Sequence, residues 1–142
     1  MKSYISYSEK DTIACGKDFG ANLSENAVVC FFGDLGAGKT TFIKGVSEGF
    51  AGCSSSDVNS PTFVYLNIYK GKKDVYHFDL YRLKDSEEFL SMGFDEMFYA
   101  GGATLLEWSE KIENMLPENH IRVTILHLGE SSRKITIEEA IA

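Results

Sequence analysis

The chain has 142 residues, 44% hydrophobic and 25% charged, which is typical of a globular protein with one core, so we expect a single domain over 1–142. A net charge of −7 argues against broad, unassisted binding of nucleic acid. No apolar run approaches about 18 residues and no apolar segment follows the first methionine, so neither a membrane span nor a secretory signal is predicted. The three cysteines form no C-x-x-C pair, which favours reduced thiols in a cytoplasmic protein.

The first part of the chain predicts a strand followed by a helix. Residues 4–7 have strand character, and the capping-box pattern at 8–11 opens a helix that runs to about Leu23. We expect Ile13, Phe19 and Leu23 to form part of the buried face of this helix.

The next stretch carries the strongest motif. Residues 33–40 read GDLGAGKT and match the phosphate-binding pattern G-x-x-x-x-G-K-[ST] at each fixed position. The apolar run 27–32 before it predicts a strand buried on both faces. After it, Phe42, Val46 and Phe50 recur every four residues, as on one side of a helix. Strand, glycine-rich loop and helix therefore follow in the order that a nucleotide-binding loop requires.

The chemistry of such a loop assigns roles to its residues. Glycines let the backbone approach a polyphosphate, and backbone N–H groups at the helix start bind the anion. Lys39 is a candidate for the β- and γ-phosphates, and the Thr40 hydroxyl for Mg²⁺. The predicted nucleotide-binding residues of this segment are Asp34, Leu35, Gly36, Ala37, Gly38, Lys39, Thr40 and Thr41.

A loop rich in Ser and Gly over 52–60 precedes a predicted hairpin. Strands at 62–69 and 74–79 flank a basic turn at 70–73. Folding about this turn is expected to bring Thr62 near Asp79. Thr62 could offer its hydroxyl or N–H group to the γ-phosphate or Mg²⁺, or it could only open the strand.

The remaining elements are short. Asp85 begins a helix that is interrupted at Gly93. Three further strands and one helix are predicted, at 103–106, 121–128 and 133–137 for the strands and at 109–115 for the helix.

Two acidic residues close predicted strands. Open α/β sheets bind ligands at the carboxyl ends of parallel strands, and Asp79 and Glu107 end two of them. If these strands lie beside the strand that precedes the phosphate loop, both acids share its edge as candidate catalytic groups. The sequence alone does not assign metal contact to one and water activation to the other. His77 alternates with Asp79 and is either functional or a buried structural histidine. Trp108 favours a packing role.

Four segments together resemble the bacterial TsaE (YjeE) family in order and spacing. They are 33–40, Ser60-Pro-Thr-Phe63, His77-Phe-Asp-Leu-Tyr-Arg82 and Leu106-Glu-Trp-Ser-Glu110. The resemblance implies an α/β, P-loop NTPase-like three-layer fold with a central parallel sheet and antiparallel edge strands. It also implies a Mg²⁺-dependent ATPase, with ATP and Mg²⁺ bound, in the pathway that makes threonylcarbamoyladenosine (t6A) in tRNA.

The resemblance also suggests partners and residue roles. TsaD and TsaB would transfer a threonylcarbamoyl group to adenosine 37 of tRNA, so this chain would meet tRNA only through that complex. Thr40 and Glu107 would serve Mg²⁺, Thr62 and Asp79 would lie near the γ-phosphate, and Trp108 would lie near the nucleotide.

Other functions use the same loop. A small-molecule or nucleotide kinase is the first alternative, although kinases usually need several arginines and those of this chain, Arg82, Arg122 and Arg133, are scattered. A nucleotide-gated binding module with negligible turnover is the second. A GTPase is disfavoured because the sequence has no N-K-x-D segment.

Overall fold

The computed structural model describes residues 1–33, 38–54, 58 and 65–139. Seven strands within these residues form one mixed sheet. The strands are β1 (Lys2–Ser6), β2 (Val28–Gly33), β3 (Leu66–Lys70), β4 (Asp74–Asp79), β5 (Ala103–Glu107), β6 (Ile121–His127) and β7 (Arg133–Glu139). Their spatial order is β1-β7-β6-β2-β5-β4-β3.

Helices cover both faces of the sheet. The α-helices in the described part of the chain are α1 (Glu9–Ala21), α2 (Lys39–Ala51) and α3 (Ser86–Ser91), and Phe94–Tyr99 and Ser109–Met115 form 3₁₀ helices. In the same residues, every helix is too short or too polar to cross a bilayer.

The middle of the sheet is parallel and its edges are antiparallel. β2 pairs in parallel with β5 and β6, and β5 pairs in parallel with β4. The pairs β1–β7, β6–β7 and β3–β4 are antiparallel. β2 lies near the centre because its apolar sequence VVCFFG can be buried on both faces. This arrangement is the predicted one.

The helices α1 and α2 pack together on one face through glycines. A Cβ at Gly16 would lie 2.3 Å from the backbone oxygen of Phe42, and one at Gly45 only 2.1 Å from that of Ile13. The fully buried residues of α1 are accordingly small: Thr12, Gly16 and Gly20. Ile13, Phe19 and Leu23, which were predicted for the buried face, are half-buried, and Phe19 and Leu23 pack against the core beside these small residues.

Aromatic side chains fill the opposite face. Phe89 of α3 is fully buried, and its ring lies 5.5 Å from those of Phe78 and Phe94 and 5.8 Å from that of Phe98. Short helices can cover this face because large rings bury much area per residue.

The predicted ends of several elements agree with the structure. The Ser8 hydroxyl accepts a hydrogen bond from the N–H of Asp11 and caps α1, as the sequence predicts. Asp85 caps α3 in the same way, through the N–H of Glu88. Within the described residues β3 begins at Leu66; the first part of the strand predicted from residue 62 lies outside them.

Candidate functional site

The start of α2 lies where two glycines shape the backbone. Gly33 ends β2 with φ of 139°, and a Cβ there would lie 2.1 Å from the backbone oxygen of Ile125 on β6. Gly38 precedes α2 with φ of 101°, which favours glycine, and no described side chain caps this helix end. Backbone N–H groups in the first turn of α2 are therefore available to an anion.

Lys39 occupies the first turn of this helix. Its Nζ donates a hydrogen bond to the Gly33 carbonyl oxygen at 3.3 Å and lies 6.0 Å from the centroid of the Trp108 ring. Thr40 and Thr41 follow it and are half-buried. The lysine charge and two hydroxyl-bearing residues thus lie beside the β2–α2 junction.

Part of the predicted site lies outside the described residues. These positions are Asp34, Leu35, Gly36, Ala37 and Thr62, and their assigned roles stay predictions. The expected approach of Thr62 to Asp79 also falls there. The nearest described contact is the backbone hydrogen bond from the Asp79 N–H to the Tyr65 carbonyl oxygen, at 2.9 Å.

The two candidate acids end neighbouring strands. Asp79 on β4 is the register partner of Glu107 on β5, and Glu107 is in turn the partner of Phe31 on β2. The condition set by the sequence, that these strands lie side by side in parallel, is therefore met. Both carboxylates therefore lie at the carboxyl-terminal end of the parallel strands, as the β2–α2 junction does.

Glu107 belongs to a buried chain of hydrogen bonds. Its side chain is only 9% exposed, and its Oε2 lies 2.8 Å from Nε2 of His77. His77 is fully buried, and its Nδ1 lies 2.9 Å from the Tyr69 hydroxyl. One oxygen of the Glu107 carboxylate is thus fixed by the imidazole.

Asp79 is more exposed and has a perturbed pKa. Its Oδ1 accepts a hydrogen bond from the Tyr81 N–H at 3.1 Å. Partial burial, reinforced by the Glu107 carboxylate, raises the pKa of Asp79, while the Tyr81 N–H, His77 and Lys39 oppose the rise. A carboxylate with a raised pKa is a better proton acceptor than an ordinary aspartate.

The oxygen donors suit a hard cation. Thr40 and the two carboxylates offer the ligand type that Mg²⁺ prefers, and Mg²⁺ usually takes only one or two protein carboxylates and completes its shell with phosphate and water. In the part of the chain that the structure describes, no group of three or more His, Cys, Asp or Glu side chains is placed to hold a metal ion. The residues therefore fit a magnesium ion that is shared with a nucleotide better than an all-protein metal site.

Trp108 adopts an unusual backbone conformation beside Glu107. Its φ of 63° is left-handed, a conformation that a bulky side chain rarely adopts. Its side chain is exposed, and its ring lies 5.0 Å from that of Tyr81. Trp108 was predicted to have a packing role, but its ring is not part of the core and lies at the surface of the site.

A cavity of about 360 Å³ lies beside the start of α2. Residues from three distant parts of the chain line it, among them Tyr7, Thr12, Gly38, Thr41 and Arg133. Gly38 and Thr41 belong to both the motif and this cavity, so the cavity adjoins the candidate phosphate site.

Comparison with known proteins identifies the family of this chain. The family model described as "Threonylcarbamoyl adenosine biosynthesis protein TsaE" matches residues 6–135. The chain belongs to the TsaE family. The family predicted from the four motif segments is thereby confirmed.

Relatives and a solved structure extend the match. The chain is 37% identical to the tRNA threonylcarbamoyladenosine biosynthesis protein TsaE of Treponema pallidum, over 94% of this chain and 97% of the relative. It is 40% identical to that of Bacillus subtilis, over 89% and 78%. The crystal structure of YdiB from Bacillus subtilis aligns with a TM-score of 0.79 at 32% identity, over 99% of this chain and 86% of that one. The predicted fold is confirmed.

The sequence pattern missed Tyr69 and the cavity residues outside the motif of this TsaE-family chain. Tyr69 could have been found from the hairpin, because Tyr69 pairs with Val75 and so lies diagonally from His77. Arg133 was considered scattered, but its side chain approaches Gly38. No local signal predicts that contact, since it depends on where β7 lies in the sheet.

Proposed function

We propose that this chain is the ATP-binding and ATP-hydrolysing subunit of the machinery that makes t6A at adenosine 37 of tRNA. The observation that carries the proposal is that Lys39 and the start of α2, which no described side chain caps, lie at the same end of the parallel strands as two carboxylates. Membership of the TsaE family supplies the pathway.

Lys39 and the first turn of α2 would bind the phosphates. Lys39 now donates to the Gly33 carbonyl oxygen, and we expect phosphate oxygens to replace that acceptor. The adjoining cavity, which Tyr7 and Arg133 line, is our candidate for the nucleoside. Asp34 to Ala37 complete the loop as predicted contacts.

Thr40 and Glu107 are our candidates for holding Mg²⁺. Bound there, Mg²⁺ would offset the negative charge that builds up on the phosphates during hydrolysis. Glu107 suits the ligand role because His77 fixes one of its oxygens, as is usual for metal-binding carboxylates. Asp79 suits the role of orienting and deprotonating the attacking water because it ends β4 directly beside Glu107, and its raised pKa favours proton transfer. Thr62 is kept as a candidate for the γ-phosphate.

Family membership supports a proposal for the partners, and the cysteines support one for the location. We propose that TsaD and TsaB are the partners and that tRNA is contacted only through them, since the net charge of −7 disfavours direct binding. The cytoplasm is the proposed location, in keeping with three free cysteines. We propose that residues 1–142 form one P-loop ATPase domain, because β1 and β7, near opposite ends of the chain, pair within the same sheet.

Nucleotide binding is tested by titrating ATP while following Trp108 fluorescence. Lys39→Ala is expected to weaken ATP binding at least tenfold, because it removes the charge that faces the phosphates. Lys44→Ala removes the same charge from the middle of the same helix and should leave affinity unchanged. Equal affinities for Lys39→Ala and the unmodified chain would contradict the proposed site.

Turnover is tested by phosphate release, with and without TsaD and TsaB. Glu107→Gln is expected to lower the rate about 100-fold while ATP binding changes far less. Glu110→Gln, an exposed acid three residues further along, is the control. Transfer of phosphate to a small acceptor with no free phosphate would indicate a kinase instead.

A further inference from the structure

Tyr69, His77 and Glu107 form a hydrogen-bonded chain that runs from edge strand β3, across β4, to the carboxyl-terminal end of β5. Both imidazole nitrogens are engaged, at 2.9 Å from the Tyr69 hydroxyl and 2.8 Å from Glu107 Oε2. A carboxylate can only accept, so Nε2 carries the proton and donates it to Glu107. In the neutral ring Nδ1 then accepts a hydrogen bond from the Tyr69 O–H, which fixes the tautomer.

The position of His77 argues against a simple packing role. Two of its neighbours on the same face, Val75 on its own strand and Leu105 on β5, are fully buried and apolar. An apolar side chain at position 77 would continue that surface without the cost of burying a polar ring. The imidazole instead links two polar groups, the Tyr69 hydroxyl and the carboxylate of Glu107, which ends its strand at the candidate site.

We propose that His77 and Tyr69 are positioning residues for Glu107. Tyr69 holds the tautomer and ring orientation of His77, and His77 holds Oε2 of Glu107 so that Oε1 is the oxygen that serves Mg²⁺. This inference rests on the proposed function, because it needs Glu107 to be a metal-site residue. It adds two residues, one of them on edge strand β3, to the set that determines magnesium affinity.

If His77 and Tyr69 served only to pack the core, replacing them would not change magnesium affinity, so magnesium affinity is the quantity to measure. MgCl₂ is titrated into the full chain saturated with a non-hydrolysable ATP analogue in metal-free buffer, and binding is followed by calorimetry. Loss of a hydrogen bond to a metal ligand typically weakens metal binding 10- to 100-fold, so we expect about tenfold for His77→Leu. His77→Gln can still donate an N–H to Glu107 and should retain most of the affinity.

Tyr69→Phe removes one hydroxyl and keeps the ring. It should weaken magnesium binding about threefold, since it acts on Glu107 only through His77. Tyr76→Phe is the matched control: it removes the hydroxyl of a buried tyrosine on β4, on the opposite face of the sheet, and should have no effect. Affinity for the metal-free analogue should be the same in all four variants.

Three results would overturn the inference. The first is an unchanged magnesium affinity in both His77→Leu and Tyr69→Phe. The second is an equal loss of magnesium affinity in His77→Gln and His77→Leu. The third is a loss of affinity for the metal-free analogue that parallels the loss of magnesium affinity. If His77→Leu does not fold, the comparison of magnesium affinity between Tyr69→Phe and Tyr76→Phe decides. Failure of the proposed function would be seen separately, as absent nucleotide or magnesium binding in the unmodified chain.

Discussion

The two faces of the sheet are packed by different means. On the face that carries His77 and Glu107, α1 meets α2 backbone to backbone through glycines. On the other face, the rings of Phe78 and Phe89 and their neighbours fill the space under short helices. The first kind of packing fixes where a helix lies to a fraction of an ångström, whereas side chains can readjust in the second.

This difference matters because α2 carries the residues that we propose to bind phosphate. The helix start, with Lys39 and Thr40, is held in place partly by the contacts of Gly45 with α1. The aromatic face carries none of the predicted site residues, although Glu107 and Trp108 lead directly into its 3₁₀ helix. We therefore expect the glycine face to couple stability to nucleotide binding, and the aromatic face to contribute stability alone.

The largest expected effect is that of Gly45→Ala. One added methyl group would lie 2.1 Å from the Ile13 backbone oxygen and 2.8 Å from the Lys17 nitrogen, so α1 and α2 must separate. We expect a loss of about 3 kcal/mol in the free energy of unfolding, measured in urea, together with weaker ATP binding. Gly129→Ala is the control, since a Cβ there meets nothing within 4 Å. Equal stability of the two variants would show that the close backbone contact between α1 and α2 does not determine how these helices pack.

A smaller effect is expected on the aromatic face. Phe89→Leu removes ring contacts but leaves an apolar side chain that its neighbours can close around, for a loss of roughly 1–2 kcal/mol in the free energy of unfolding. ATP affinity, measured by Trp108 fluorescence, should not change. A loss of affinity as large as that of Gly45→Ala would erase the distinction between the two faces.

The smallest effect concerns pH on the aromatic face. Burial raises the pKa of the Cys30 thiol to about 11, although a hydrogen bond with Ser109 and the charge of Arg122 oppose the rise. The folded chain therefore holds this proton more tightly than the unfolded chain, whose thiol has its ordinary pKa of about 9. The resulting stability is present below pH 9 and is lost as pH rises from about 9 to 11.

Cys30→Ala tests this contribution. Between pH 7 and pH 9.5 the unmodified chain should lose roughly 1 kcal/mol more unfolding free energy than the variant, measured by urea denaturation. Identical losses would mean that the thiol is not shielded from water on this face.

The sequence predicted those parts of the fold that local patterns determine. The glycine-rich motif between an apolar run and a periodic helix located the α2 start, and one topological rule placed Asp79 and Glu107 at the same edge. The close packing of α1 and α2 through Gly16 and Gly45 was not predicted, because the sequence does not show which helices are in contact. The cavity was missed for a similar reason, since Tyr7 and Arg133 come together only in the folded sheet.

The most direct test of the account is a crystal structure of this chain with Mg²⁺ and a non-hydrolysable ATP analogue. We predict phosphates at the start of α2 in contact with Lys39, a magnesium ion beside Thr40 and Glu107, and the nucleoside in the cavity that Arg133 lines. A nucleotide bound elsewhere, or a metal ion that Glu107 does not approach, would contradict it.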